Sequence, residues 1–120
     1  MLLKGLYELS EFKVEKGSFS AKISFDPEHY IFKGHFPGQP VVPGVCLIHI
    51  VKELASKVSG EKFQLKKGSN VKFIQLIDPQ KNPGVIIKGK STLSSEGQLT
   101  ISATILYKED TFFKFKGIFS

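Results

Sequence analysis

Only one stretch of this chain repeats its apolar residues at helical spacing. Leu47, Ile50, Val51, Leu54 and Val58 recur three and four residues apart, Pro43 suits the first turn, and Gly60 closes the run. The other regular segments alternate instead. Phe12, Val14, Phe19, Ala21, Ile23 and Phe25 share one side, with Lys13, Glu15, Ser18, Ser20, Lys22 and Ser24 opposite, and Lys16-Gly17 marks a turn between two strands. Val71 to Ile77 is apolar on both faces; strands then follow at Val85 to Leu93, Leu99 to Tyr107 and Thr111 to Phe119. Ser95-Glu96-Gly97 and Glu109-Asp110 are the expected hairpin turns. Leu99, Ile101, Ala103, Ile105 and Tyr107 face Thr100, Ser102 and Thr104 across one strand, so the sheet has one buried side. An antiparallel sheet of about five or six strands with one apolar helix after the second has one compact solution: an α+β fold in which the sheet curls round the helix.

The chain has 120 residues, 41% of them apolar, enough for one core and too few for two, so residues 1–120 are expected to form a single domain. With 23% charged and 12% aromatic residues it resembles neither a disordered nor a low-complexity segment. The longest uncharged run, ending at Val51, is broken by Pro37, Pro40 and Pro43, which argues against a membrane-spanning helix. Met1 to Gly5 lacks the order of a secretory signal, so the cytoplasm is the expected location. Cys46 stands alone, which excludes an intrachain disulfide and a cysteine-cluster metal site. The net charge is +6, and all 17 basic residues are lysine. Without the arginine fork, base-specific reading of nucleic acid is disfavoured; the charge fits a solvated surface or loose attraction to an acidic partner.

Chemistry concentrates between the second strand and the helix. Gly34-His35-Phe36-Pro37-Gly38-Gln39-Pro40-Val41-Val42-Pro43-Gly44-Val45 joins an imidazole, a rigid Pro/Gly loop and a helix N-terminus. Free N–H groups at that terminus, approachable because Gly44 has no side chain, suit an oxygen that gains negative charge, and His35 supplies a base beside them. The pairing suits proton abstraction next to a carbonyl. His29, by contrast, is expected to face solvent in a turn. A three-histidine metal site is disfavoured, because His29, His35 and His49 lack helical i, i+4 pairing. Cys46, near the helix start, is read as a small core residue.

These residues resemble the 3-hydroxyacyl-acyl-carrier-protein dehydratases of the FabZ and FabA type, whose fold is the hotdog. The dehydratase signature G-H-F-P-G-x-P-(V/I)-x-P-G-V is matched throughout Gly34 to Val45, with Tyr30 and Phe32 as its aromatic lead-in. Lys72-Phe73 followed by Asp78-Pro79 is similar to the strand after the helix in that family, and the resemblance spans roughly residues 12 to 119. It implies a homodimer or dimer-built oligomer, a substrate on acyl carrier protein or coenzyme A, no cofactor, and sites at the subunit interface. By position, His35 is the histidine that takes the α-proton, and the Gly44 N–H polarises the thioester carbonyl. Phe32, Phe36, Gly38, Pro43 and Val45 are the expected substrate-binding residues.

The family's second catalytic residue is a Glu or Asp six positions after the proline of Pro-Gly; here that position is His49. A subset of dehydratase-like proteins, the ApeI-like type, is similar in tolerating other residues there. An imidazolium can also donate a proton to a departing hydroxide, since histidine with a free pKa of about 6.5 is partly charged near neutral pH. Glu53, four residues on, shares the helical face and is placed to support it. A helix histidine packed at a dimer seam explains His49 equally well. Two other activities stay open on the same residues: thioester hydrolysis, and a non-catalytic acyl-binding or scaffold subunit partnering an intact dehydratase.

Overall fold

A computed structural model describes residues 5–32, 41–59, 65–82 and 84–120. In chain order it places strands β1 (Tyr7–Glu15) and β2 (Ser18–Phe25), a short 3-10 turn (Tyr30–Phe32), helix α1 (Gly44–Ser59), then strands β3 (Leu65–Phe73), β4 (Gly84–Leu93), β5 (Leu99–Tyr107) and β6 (Asp110–Phe119). The six strands form one antiparallel sheet in the order β1-β2-β4-β5-β6-β3. The expected α+β architecture is therefore present. Gly60, read as the helix stop, lies outside the described residues.

The helix periodicity becomes a buried stripe: Cys46, Leu47, Ile50, Val51, Leu54 and Ala55 all lie in the core. They meet the inward residues of the sheet, among them Ile23, Ile87, Ile101, Ile105 and Phe113. Large and small side chains alternate across that inner face. Phe19 pairs with Gly89, Gly89 with Ala103, and Ala103 with Phe115. A Cβ on Gly89 would stand 2.3 Å from the Phe19 ring and 2.9 Å from the Ser102 carbonyl oxygen, so the ring occupies the room that the missing side chain leaves. Register shifts in β1, β3 and between Ile105 and Leu106 add residues on one side of a pair and help bend the sheet. On the outer face, exposed Lys13, Lys88 and Lys114 alternate across the strands with Ser20 and Thr104. Much of the positive charge is thus spread over a solvated surface.

Four details depart from expectation. Strand β1 begins at Tyr7, before the run at Phe12, because Ser10 is accommodated as a bulge whose hydroxyl donates to the Lys22 carbonyl. The segment read as a strand from Val71 to Ile77 leaves the ladder after Phe73. The Ile74 and Gln75 N–H groups both turn to the Phe112 carbonyl, and Phe73, Ile74 and Leu76 stay exposed while Ile77 is buried. The last hairpin turns at Lys108-Glu109, with Lys108 at φ 56°, because Asp110 pairs with Tyr107. His29 is buried: its Nδ1 accepts the Ile31 N–H, and its ring stacks on Tyr30 and meets the edge of Phe32. The Lys16-Gly17 turn stands as expected, both residues at positive φ.

Candidate active site

The helix N-terminus is fixed from both sides. The Val42 N–H donates to the Ile77 carbonyl at 2.8 Å, anchoring the approach, and the Pro43 carbonyl accepts from Cys46 and Leu47, which starts the helix. Pro43 has no N–H to satisfy, and Gly44 follows in the first turn, where N–H groups have no acceptor within the helix. The Phe73 ring lies directly over Gly44. A Cβ there would come within 2.6 Å of ring atom Cε1, so only glycine lets strand β3 approach this closely. Between Val41–Gly44 with Leu47, and Phe73 with Gln75–Ile77, runs a cleft of about 250 Å³. Its lining is mainly apolar.

His49 lies in the middle of the same helix, half-buried, with Nε2 3.9 Å from Oε1 of Glu53. That carboxylate oxygen also accepts the Tyr7 hydroxyl at 2.9 Å. The tyrosine's pKa is pushed well above its ordinary value, first by burial and then by the hydrogen bond and charge of Glu53. The hydroxyl therefore remains a donor throughout the neutral range. The i, i+4 spacing brought His49 and Glu53 together, while Tyr7 was missed: it stands 46 residues away on β1, and no local pattern announces the contact.

The other residues expected at the site are dispersed. Pro43 is buried and Val45 is exposed beside Gly44. Phe32 is only 6% exposed, packed in the core against His29. Cys46 is buried as expected, and burial pushes its thiol up, away from the thiolate form. His35, Phe36 and Gly38 lie outside the described residues. Among the described residues no three His, Cys, Asp or Glu side chains gather as a metal would need, and no helix is long and apolar enough to cross a membrane.

The family model described as ApeI-like, ApeI dehydratase, matches residues 11–114, a span that includes the helix N-terminus, the cleft and the His49–Glu53 pair. The chain belongs to the ApeI-like dehydratase family. Its relatives include the 3-hydroxyacyl-[acyl-carrier-protein] dehydratase FabZ of Clostridium acetobutylicum, 30% identical over 95 residues, which cover 63% of this chain and 67% of that protein. The FabZ of Caldicellulosiruptor saccharolyticus is 27% identical, covering 89% of this chain and 86% of its own. Among solved structures, the dehydratase heterocomplex ApeI:P from Xenorhabdus doucetiae superposes with TM-score 0.74 at 21% identity, over 93% of this chain and 96% of that one. A thioesterase mutant from Staphylococcus aureus superposes with TM-score 0.71 at 13% identity, over 99% and 96%. These likenesses establish the hotdog fold for this ApeI-like chain.

Proposed function

We propose that this ApeI-like protein dehydrates a 3-hydroxyacyl thioester, carried on acyl carrier protein, to the 2-enoyl thioester. His35 as neutral imidazole takes the α-proton, and the electron pair moves into the thioester carbonyl, whose oxygen is met by the Gly44 N–H. The carbonyl re-forms, the α,β double bond closes, and the β-hydroxyl departs with a proton from the imidazolium of His49 as water. No cofactor enters this reaction. Glu53 lies on the same helical face, with its carboxylate 3.9 Å from the His49 ring. What supports the reading is the match of residues 11–114 to the ApeI-like dehydratase family, together with a half-buried His49 that has the Glu53 carboxylate 3.9 Å away.

The site is proposed to be shared between two copies of the chain. Gly44 and His49 are five residues apart, so on a helix they differ by about 7.5 Å in height and roughly 140° in direction. One helix therefore does not present both groups to one substrate, and a homodimer supplies His49 from the partner.

The test is enoyl-thioester formation from a panel of 3-hydroxyacyl-carrier-protein substrates by wild type, His35→Ala, His49→Ala and His49→Glu. An active wild type with both alanine variants reduced by about 10²- to 10⁴-fold is the expected result. A wild type inert on the whole panel, with activity appearing in His49→Glu, overturns it in favour of a binding subunit. That second reading is favoured by one observation, the histidine standing where the family places a carboxylate.

A further inference from the structure

We propose that Tyr7 is a positioning residue for the acid: its hydroxyl fixes the Glu53 carboxylate on the side that faces His49. This rests on the dehydration reading for its role in turnover, and on geometry alone for its role in holding the pair. Glu53 sits on an open part of the helix, its side chain 43% exposed. A free glutamate there samples many rotamers, and fixing it costs side-chain entropy. An exposed i, i+4 pair by itself is too weak to hold the carboxylate. The hydrogen bond from Tyr7, charge-assisted and partly buried, is the interaction strong enough to do so.

The surroundings leave that role to Tyr7. Among the described residues, Tyr7 from β1 and His49 from the helix itself are the polar partners of Glu53, and no lysine lies within ion-pair distance of it. Lys52 and Lys57, the charged neighbours along the helix, form no ion pair with it, and Cys46, one turn before His49, is buried in the core. The Tyr7 hydroxyl stays protonated because ionising it beside a carboxylate in a half-buried place is unfavourable. A permanent donor therefore occupies one side of Oε1, leaving the carboxylate's remaining lone pairs for the imidazolium. At 3.9 Å the pair is one small side-chain adjustment from a direct hydrogen bond. Strand β1 is held by its ladder to β2, with Tyr7 paired to Phe25, so the anchor belongs to the sheet.

The experiment has two arms, one of which is independent of turnover. In the first, kcat and KM are measured for wild type, Tyr7→Phe, Glu53→Gln and the double variant. Tyr7→Phe is expected to lower kcat about tenfold with KM nearly unchanged. The double variant is expected to be no worse than Glu53→Gln, because Tyr7 acts through Glu53. In the second arm, the Glu53 rotamer is read by NMR from its Hα–Hβ couplings in wild type and Tyr7→Phe: one rotamer in wild type and averaged couplings in the variant are expected. Couplings averaged already in wild type, or unchanged in Tyr7→Phe, overturn the proposal, as do multiplicative losses in the double variant. If wild type is inert, the dehydration reading fails while the couplings still decide whether Tyr7 holds Glu53. If Tyr7→Phe does not fold, the wild-type couplings decide: a single rotamer supports the proposal and averaged couplings overturn it.

Discussion

The two edges of the sheet reach the helix by opposite means. At one edge β1 sends the Tyr7 hydroxyl to Glu53, a directional bond between polar groups. At the other, β3 lays the Phe73 ring over Gly44, an apolar contact that depends on a side chain being absent. The contrast follows the chemistry proposed for each end. A helix N-terminus that must receive an oxyanion needs its N–H groups uncovered, so it is steadied by packing from the side. The middle of the helix must hold a charge in one orientation, and packing does not orient a carboxylate. The edges also differ in surface. β1 carries exposed Glu8, Glu11, Lys13 and Glu15 and a bulge, the features that blunt an edge. The end of β3 leaves Phe73, Ile74 and Leu76 exposed, 56%, 49% and 73% respectively, beside an exposed Val45.

The largest expected effect tests whether the two ends of the helix serve one site or two. His35→Ala and His49→Ala homodimers are each expected to be nearly inactive, by about 10²- to 10⁴-fold. Mixed at equal amounts and allowed to exchange, they are expected to recover about a quarter of the wild-type sites, since half the dimers then carry one intact site. No recovery despite proven exchange would mean that His35 and His49 of the same chain act together, and the shared site would disappear.

A smaller effect is expected at the β3 edge. In Gly44→Ala the new methyl meets the Phe73 ring, whose outer atoms can swing away because the ring is half exposed. The fold should tolerate this, whereas the N–H and the cleft wall shift, and misplacement on the ångström scale costs up to ~10²-fold in turnover. Gly44→Ala combined with Phe73→Ala makes room again and is expected to recover part of that loss. If the double variant is as slow as Gly44→Ala, the ring is not what glycine accommodates.

The same contrast explains what was legible in the sequence. Local regularities translated directly: the three- and four-residue spacing gave α1 its buried stripe, and strict alternation gave β5 its core face. The His49–Glu53 pair was legible because both residues sit on one helix. Tyr7 was not, since its partner is 46 residues distant and only the β1–β2 register brings it over the helix. The β3 edge misled for a different reason. Val71 to Ile77 reads as a strand apolar on both faces, although here it is the exposed end of an edge strand that turns out of the ladder at Ile74. His29 misled because Asp26-Pro27-Glu28 has the composition of a surface turn, yet that turn folds the imidazole inward against Tyr30 and Phe32.

The smallest expected effect concerns stability at the β1 edge and has a definite sign. The Tyr7 pKa is raised in the folded protein, by burial and then by Glu53, above the unfolded value of about 10. Below that pH both states keep the proton, and the residue adds no pH dependence. Above it the unfolded chain releases the proton while the folded chain retains it, so stability falls as pH rises. Every other ionisable group is common to wild type and Tyr7→Phe. The loss of Tm between pH 9 and pH 11 is therefore expected to be smaller in Tyr7→Phe than in wild type. Phe73→Ala, which alters the opposite edge without removing a titrating group, is expected to lose Tm over that interval as wild type does. Equal losses in all three proteins would mean that the Tyr7 hydroxyl is not held at Glu53, and the two edges would then differ only in how much apolar surface they show.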